Sequence, residues 1–377
     1  MIKAVFNRLK TYKYRNYDFI LVVLVICLSI VGVIAVSSSD ESLRSKQLMG
    51  IALGVVAMIV VSLFDYAFLS KFYWGYYALT IILLGGVILL GSGSHGAQRW
   101  LDIGGFRFQP SEISKALLIL FYSKFCLLNQ KKVKTLGYIA SCLLLLLPPL
   151  ALILLEPDLS TSIMFVIIFV CIMFVSGISW KFITAVLVIT IPLGALVFYL
   201  AMMPGSPILH DYQQVRILAW LHPENYADSD AYQTMNSIMA IGSGQLQGKG
   251  FNSNEINSVL NAGFISESQT DFIFTVIGEE FGFIGSCIVL FLLLAIMVEC
   301  LLIAGRARDL AGQIIATGIG CWIGFQGLMN IGVATGVLPN TGIPLPLVSA
   351  GLTSIVSVYI GIGLVLNVSL QQRNKYF

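Results

Sequence analysis

The chain is a succession of long apolar runs separated by short polar breaks. The runs fall at about 18–37, 47–64, 73–91, 111–128, 136–155, 159–177, 181–202, 279–304, 312–334 and 346–370. A helix needs about 20 predominantly apolar residues to cross the hydrocarbon core of a bilayer, so each run is predicted to be a spanning helix. The fifth contains Pro148-Pro149, where a kink is expected. Only one connection is long, from about 203 to 270. The predicted fold is an all-α polytopic membrane protein of about ten helices, with residues 1–377 forming one integral membrane domain.

Composition excludes the soluble alternatives. Hydrophobic residues make up 57% of the chain and charged residues 11%, against about 25% charged in an ordinary soluble domain. Mean hydropathy is +0.89. So little charge cannot cover the exterior of a soluble fold of this size, which removes a cytosolic enzyme and a disordered tail. The net charge of +3 is too small for a nucleic-acid-binding surface, so no nucleic acid partner is expected. The seven cysteines lie in or beside apolar runs without any Cys-x-x-Cys pair, and read as small buried hydrophobes. The first apolar run is too long for a cleavable signal and lacks a small-residue cleavage site.

The placement of Lys and Arg sets the direction. With a cytoplasmic N-terminus, fourteen of the 22 fall on inner segments, six on outer ones (Arg44, Lys46, Arg99, Arg107, Arg216 and Lys249), and Lys115 and Lys124 inside the fourth run. This positive-inside bias predicts an even number of spans with both ends in the cytoplasm. The 203–270 connection, with six acidic and two basic residues, then faces outside.

Ionisable groups within or beside spans are costly in lipid and usually turn towards protein or a wet cavity. Here they gather at the predicted outer face. Glu112 and Lys115 open the fourth run at a spacing of three, close enough to pair on one helix face. Asp158 starts the sixth, and Asp271 follows Thr270 shortly before the eighth. Each has a structural reading: an ion pair for Glu112–Lys115, a helix cap for Asp158 and for Asp271. Glu279 and Glu280 read as a solvated or interfacial helix face. The common depth of the group favours a site.

Two irregular segments accompany these charges. In Ile241-Gly242-Ser243-Gly244-Gln245-Leu246-Gln247-Gly248-Lys249-Gly250, a phosphate-loop reading fails, because Ser243 and Gly250 occupy positions where that motif needs Gly and Ser or Thr. It reads as a tight backbone turn. Gly336 to Gly351, with three prolines between 339 and 346, reads as a re-entrant or irregular segment, which requires shielding by protein or a wet cavity. Physical reasoning alone gives an outward-facing polar cavity suited to an amphipathic, lipid-linked substrate.

Several strings together resemble the SEDS family (shape, elongation, division and sporulation), which includes RodA, FtsW and SpoVE. They are Gly96-Ala97-Gln98-Arg99-Trp100; Gln109-Pro110-Ser111-Glu112 with Lys115; Pro157-Asp158-Leu159; Tyr232-Gln233 with the glycine run; Thr270-Asp271-Phe272-Ile273-Phe274 with Glu279-Glu280; and Asn330 with Pro339 through Ser349. They occur in the family's order over nearly the whole chain. Departures occur at Ser160, Ser266, Glu267, Gln269, Ala350 and Leu352, and none touches Glu112, Lys115, Asp158 or Asp271. The short tails resemble the elongation or sporulation branch more than a long-tailed division protein.

The resemblance implies a peptidoglycan glycosyltransferase of the bacterial cytoplasmic membrane, polymerising lipid II with its active site facing outside. It implies Asp271 as general base, Lys115 neutralising pyrophosphate charge with Glu112 holding it, and Asp158, Arg99, Arg216, Lys249 and Ser349 binding substrate. A divalent cation (Mg or Mn) could share the charge, although no ligand set is legible. The implied partner is a class B penicillin-binding protein, a transpeptidase. The competing readings are a flippase for the same lipid and a non-catalytic scaffold that activates the transpeptidase.

Overall fold

The computed structural model describes residues 16–94, 97–103, 106–156, 158–179, 184, 188, 192, 196, 198–200, 202–203, 211–229, 231–252, 263–266 and 268–372. Six helices come first: α1 (Phe19–Ser39), α2 (Glu41–Leu63), α3 (Tyr73–Leu90), α4 (Pro110–Leu128), α5 (Leu136–Leu155) and α6 (Leu159–Val175). The predicted seventh span, 181–202, lies mostly outside the described residues. The long connection carries α7 (Asp211–Leu221) and α8 (Tyr232–Ser243). Then come α9 (Ile273–Gly305), α10 (Leu310–Ala334) and α11 (Leu352–Leu370). Between α3 and α4 lies a small antiparallel sheet of β1 (Ser92–Ser94), β2 (Ala97–Ile103) and β3 (Phe106–Phe108), in that order. Seven helical segments of the described residues are long and apolar enough to cross a membrane. The protein is a multi-pass membrane protein whose spanning segments are helices.

Polar caps mark where several helices begin. The carboxylates of Asp18, Asp40, Asp158 and Asp309 each accept a bond from an amide in the first turn of α1, α2, α6 and α10, satisfying donors that have no partner within the helix. α5 runs unbroken through Pro148 and Pro149. Four cysteines are buried, but Cys27 and Cys287 are exposed and Cys171 is half-buried. The expectation of seven buried thiols is therefore corrected: on a helix surrounded by lipid, an apolar neighbourhood in sequence does not imply a protein neighbour.

α10 and α11 form the centre. In their most apolar windows 78% and 83% of residues are buried, against 17–39% in the other spanning helices. Small residues explain the position of α10. Gly320, Gly324 and Gly327 lie against Cys300, Met297 and Leu293 of α9, and Gly318 lies against Ile119 of α4. Lipid gives no hydrophobic drive for helices to associate, so close backbone approach over small residues is a main source of packing energy.

α9 is broken. Gly282 has φ 64° and ψ −157°, so a short first part (273–281) meets a long second part (283–305) at an angle. A break frees amides and carbonyls that helix geometry would have paired. The glycine-rich run after α8 supplies the partners. Phe283 N donates to Gln245 O (2.8 Å) and Ile284 N to Leu246 O (3.2 Å), while Lys249 N and Gly250 N donate to Glu279 O (2.9 Å) and Glu280 O (3.0 Å). The run is therefore a clasp on α9 as well as a turn. Gly248 has φ 82°, and a Cβ there would overlap the Glu280 carbonyl.

The clasp overturns the solvated reading of Glu279 and Glu280. α9 starts six residues before the predicted 279, so both lie within it, and they are 1% and 7% exposed. Glu279 pairs with Lys249 Nζ at 2.7 Å. Glu280 accepts from Ser38 and from Asn252 N, which fastens the end of α1 to the same place. Replacing Gly248 with alanine is expected to break the clasp. Hydrogen exchange at Phe283 and Ile284 would accelerate by about fivefold or more, as loss of about 1–3 kcal/mol from strain and overpacking requires; unchanged exchange would contradict this account.

Candidate active site

The residues singled out at the predicted outer end fall into two clusters joined by the irregular segment 336–351. In the first, α4 begins at Pro110, whose fixed φ suits a first helical turn. One turn in, Lys115 Nζ donates to Glu112 Oε1 at 2.6 Å and to Gln326 Oε1 of α10 at 2.6 Å. It also lies 4.8 Å from the centre of the Trp322 ring. Trp322 Nε1 donates to the same Gln326 oxygen (2.7 Å), and Ser354 Oγ donates to Glu112 Oε2 (3.2 Å). Glu112 and Lys115 are each 2% exposed. A buried charge pair survives only with its hydrogen-bonding capacity filled, and here a carboxylate, an amide oxygen and an aromatic face surround the ammonium.

In the second cluster, Arg99 projects from β2 towards the start of α6, where its Nε lies 3.5 Å from Asp158 Oδ2. Asp158 also caps α6, accepting from Thr161 N (3.0 Å) and Thr161 Oγ1 (2.9 Å). The cap reading and the site reading of Asp158 therefore hold together. Asp271 does not cap α9: the residue at that position is Phe272, and no side chain caps the helix. Asp271 Oδ2 and Arg99 Nη1 lie 3.3 Å and 3.6 Å from the point where a Cβ on Gly342 would sit. With φ 69° and no side chain, Gly342 leaves that space to the two charged groups.

The chain before Asp271 is fastened at three successive residues. Ala350 N donates to Gln269 O (2.9 Å), Ser349 Oγ to Thr270 O (2.6 Å), and Asn330 Nδ2 to Asp271 O (2.7 Å). Asn330 also bonds Ile343 O (2.8 Å), Gln326 Nε2 bonds Pro344 O (3.0 Å), and Ser160 Oγ bonds Thr341 O (2.5 Å).

The predicted site residues thus separate by role. Glu112 and Lys115 form the buried pair; Asp158, Arg99 and Asp271 form the more open cluster. Ser349 is buried and spends its hydroxyl on the backbone of Leu345 and Thr270. Lys249 lies in the α9 clasp. Arg216, on α7, borders a separate cavity of about 250 Å³ with Trp220, Met235, Ile238, Leu338 and Asn340. Gln326 and Trp322 were missed from the sequence because they sit in an apolar helix with no charged neighbour to mark them. Gly96, Pro157 and Glu267 lie outside the described residues. Among the described residues no three acidic, histidine or cysteine side chains converge as a metal-ligand set. The carboxylates of Glu112 and Asp158 are already held by cations and hydroxyls, and so offer a divalent ion little free coordinating capacity.

The fold and the site together define a multi-pass helical membrane protein whose charged side chains gather in two clusters joined by the irregular segment 336–351. The sequence profile of the FtsW/RodA/SpoVE cell cycle proteins matches residues 12–374, and the chain belongs to that family. It is 35% identical over 346 residues to the peptidoglycan glycosyltransferase MrdB of Escherichia coli K12, covering 89% of this chain and 88% of that one. It is 31% identical to a probable peptidoglycan glycosyltransferase FtsW of Geobacter metallireducens, covering 97% and 98%. Among solved structures, the rod shape determining protein RodA of Thermus thermophilus superposes with a TM-score of 0.71 at 26% identity, covering 95% of this chain and 98% of that one. A chain from a peptidoglycan synthase complex that coordinates polymerization and crosslinking superposes with a TM-score of 0.78 at 27% identity, covering 94% and 97%.

The buried pair makes a sharp energetic prediction. Glu112→Leu strands the Lys115 charge and is expected to cost about 3–5 kcal/mol, whereas Glu112→Leu with Lys115→Met removes both charges and is expected to recover more than half of that. Chemical denaturation in detergent measures both. A double variant no more stable than the single one would show that the Lys115 charge is not the source of the cost.

Proposed function

We propose that this protein is a peptidoglycan glycosyltransferase that polymerises lipid II at the outer face of the bacterial cytoplasmic membrane. Family membership and the named activity of its relatives support the reaction class. The observation that carries the site is the placement of the Asp271 carboxylate and the Arg99 guanidinium together beside Gly342, with the backbone of residues 269–271 fixed by Ala350, Ser349 and Asn330.

In this reading the 4-hydroxyl of the acceptor sugar attacks the anomeric carbon of the donor. A new C–O bond forms as the bond to the undecaprenyl pyrophosphate breaks. Asp271 takes the hydroxyl proton, and the pyrophosphate leaves with the bonding electron pair. Arg99, whose side chain is 18% exposed, neutralises the charge that develops there. Lys115 is committed to Glu112, Gln326 and Trp322, so its part is to hold α4 and α10 in register around the site, with Glu112 as its partner. This narrows the role expected of Lys115 from the resemblance. Asp158 orients Arg99. Arg216 lines the neighbouring cavity beside α7, and Lys249 keeps the clasp closed.

The same reading assigns a partner that crosslinks the glycan. It rests on the likeness to a chain of a peptidoglycan synthase complex. The surface predicted to be outside, carried by α7, α8 and the clasp, is where a class B penicillin-binding protein would reach this chain.

Purified protein, alone and with that partner, supplied with lipid II is expected to form glycan polymer resolvable on a gel. Asp271→Asn is expected to lower the rate about 10²–10⁴-fold, the usual contribution of a positioned general base, while folding and partner binding persist. Undiminished polymer in that variant would remove Asp271 from the chemistry. Lipid II crossing vesicles without polymer would favour a flippase.

A further inference from the structure

Glu156 ends α5, two residues before Asp158, and the proposed mechanism leaves it unused. Its side chain is buried, 3% exposed, and Oε1 has no hydrogen-bond partner. A carboxylate in such a place is expensive unless paired. Among the described residues the cation acting on it is Arg99, and that guanidinium is already engaged with Asp158. Three charged groups therefore share one buried corner: two carboxyls and one guanidinium. The same guanidinium shares with Asp271 the space beside Gly342.

We propose that Glu156 is a positioning residue for Arg99: as an uncharged acid it leaves the guanidinium between Asp158 and Asp271, and as a carboxylate it competes for that guanidinium and draws it away from the leaving group. This rests on the polymerase reading for its consequence, but not for its physical basis. Burial, followed by the negative charge of Asp158, pushes the Glu156 carboxyl up to about 8, with Arg99 opposing. The group is thus held as the acid near neutrality and ionises just above it. The charged groups that face it are Asp158 from α6 and Arg99 from β2. Lys115 of α4 acts in turn on Asp158, and α3, which also packs on α5, presents Tyr77 to the Leu145 carbonyl.

The sign of the linkage follows. Between the ordinary carboxyl value and about 8, the folded protein keeps a proton that the unfolded chain releases, so stability falls as pH rises through that window. Two measurements on full-length protein in detergent test the idea. In the first, the polymerisation rate of the wild type is expected to fall through a one-proton step near pH 8. That step is absent in Glu156→Gln and retained, with its midpoint moved, in Glu156→Asp. The ratio of rates at pH 9 and pH 7 is then at least about fivefold higher in Glu156→Gln than in wild type. In the second, the thermal midpoint falls less steeply from pH 5 to pH 8 in Glu156→Gln than in wild type. The same alkaline step, or the same melting slope, in folded Glu156→Gln overturns the proposal. A wild type that makes no polymer at any pH defeats the polymerase reading instead, and the melting slopes still decide the case of Glu156.

Discussion

The arrangement depends on keeping one irregular stretch of backbone, residues 336–351, within the helix bundle. Peptide groups without regular partners cannot be left in an apolar interior, where each unsatisfied one costs several kcal/mol. Amides and hydroxyls from fixed helices meet the need: Asn330 and Gln326 from α10, Ser160 from α6 and Gln47 from α2 all bond its carbonyls. Gly32 of α1 lets the segment come close, since a Cβ there would overlap Leu347 and Val348. The polar residues placed to satisfy this segment also shape the charged corner beside it. Gln326 bonds Pro344 with its amide nitrogen and Lys115 with its oxygen, so one side chain couples the irregular segment to the buried pair.

The two charge clusters have opposite relations to solvent, and this decides what each can do. Lys115 and Glu112 are closed off, and the low local dielectric makes their mutual attraction strong and their separation costly. Such a pair fixes geometry. Arg99 and Asp271 are more open, as the roles proposed for them require. Asp158 belongs to both worlds: buried, it caps α6 and holds Arg99. Removing it would release a helix start and a guanidinium together.

Much of the fold was legible because spanning helices announce themselves by length and apolarity. The runs predicted for α1 to α6 and α9 to α11 are all helices, within a few residues at most ends. The misreadings share a cause. Glu279 and Glu280 were read as solvated because two adjacent acids in a sequence suggest water; their partners, Lys249, Ser38 and the amide of Asn252, come from elsewhere in the chain. The predicted start of the last span at 346 was early, because residues 346–351 are apolar yet belong to the irregular segment. At the site, charges in spans stood out, whereas Gln326 and Trp322 did not, since a neutral residue in an apolar helix has no pattern to break. Glu156 was passed over because Asp158, two residues on, drew the attention that the sequence could give to one corner.

The break in α9 gives the location of Asp271 a mechanical meaning. Asp271 precedes the short first part of that helix, and Gly282 separates this part from the long second part of α9, a helix that packs on α10 and α1. An unbroken helix would have tied Asp271 rigidly to the membrane-spanning body. Instead, the first part is held at Glu279 and Glu280 by the 244–250 clasp, and the residues that lead into it, 269–271, are held by Ala350, Ser349 and Asn330. The clasp is built from backbone bonds and one ion pair in which Glu279 is buried, so opening it would strand a carboxylate. The position of Asp271 is set by Asn330, Ser349 and Ala350, and the part of α9 that follows it is set by the clasp, while the buried Lys115–Glu112 pair ties α4 to α10 through Gln326. The segment that carries Asp271 is thereby joined both to residues 330–350 and to the connection between α7 and α9, independently of the long part of α9.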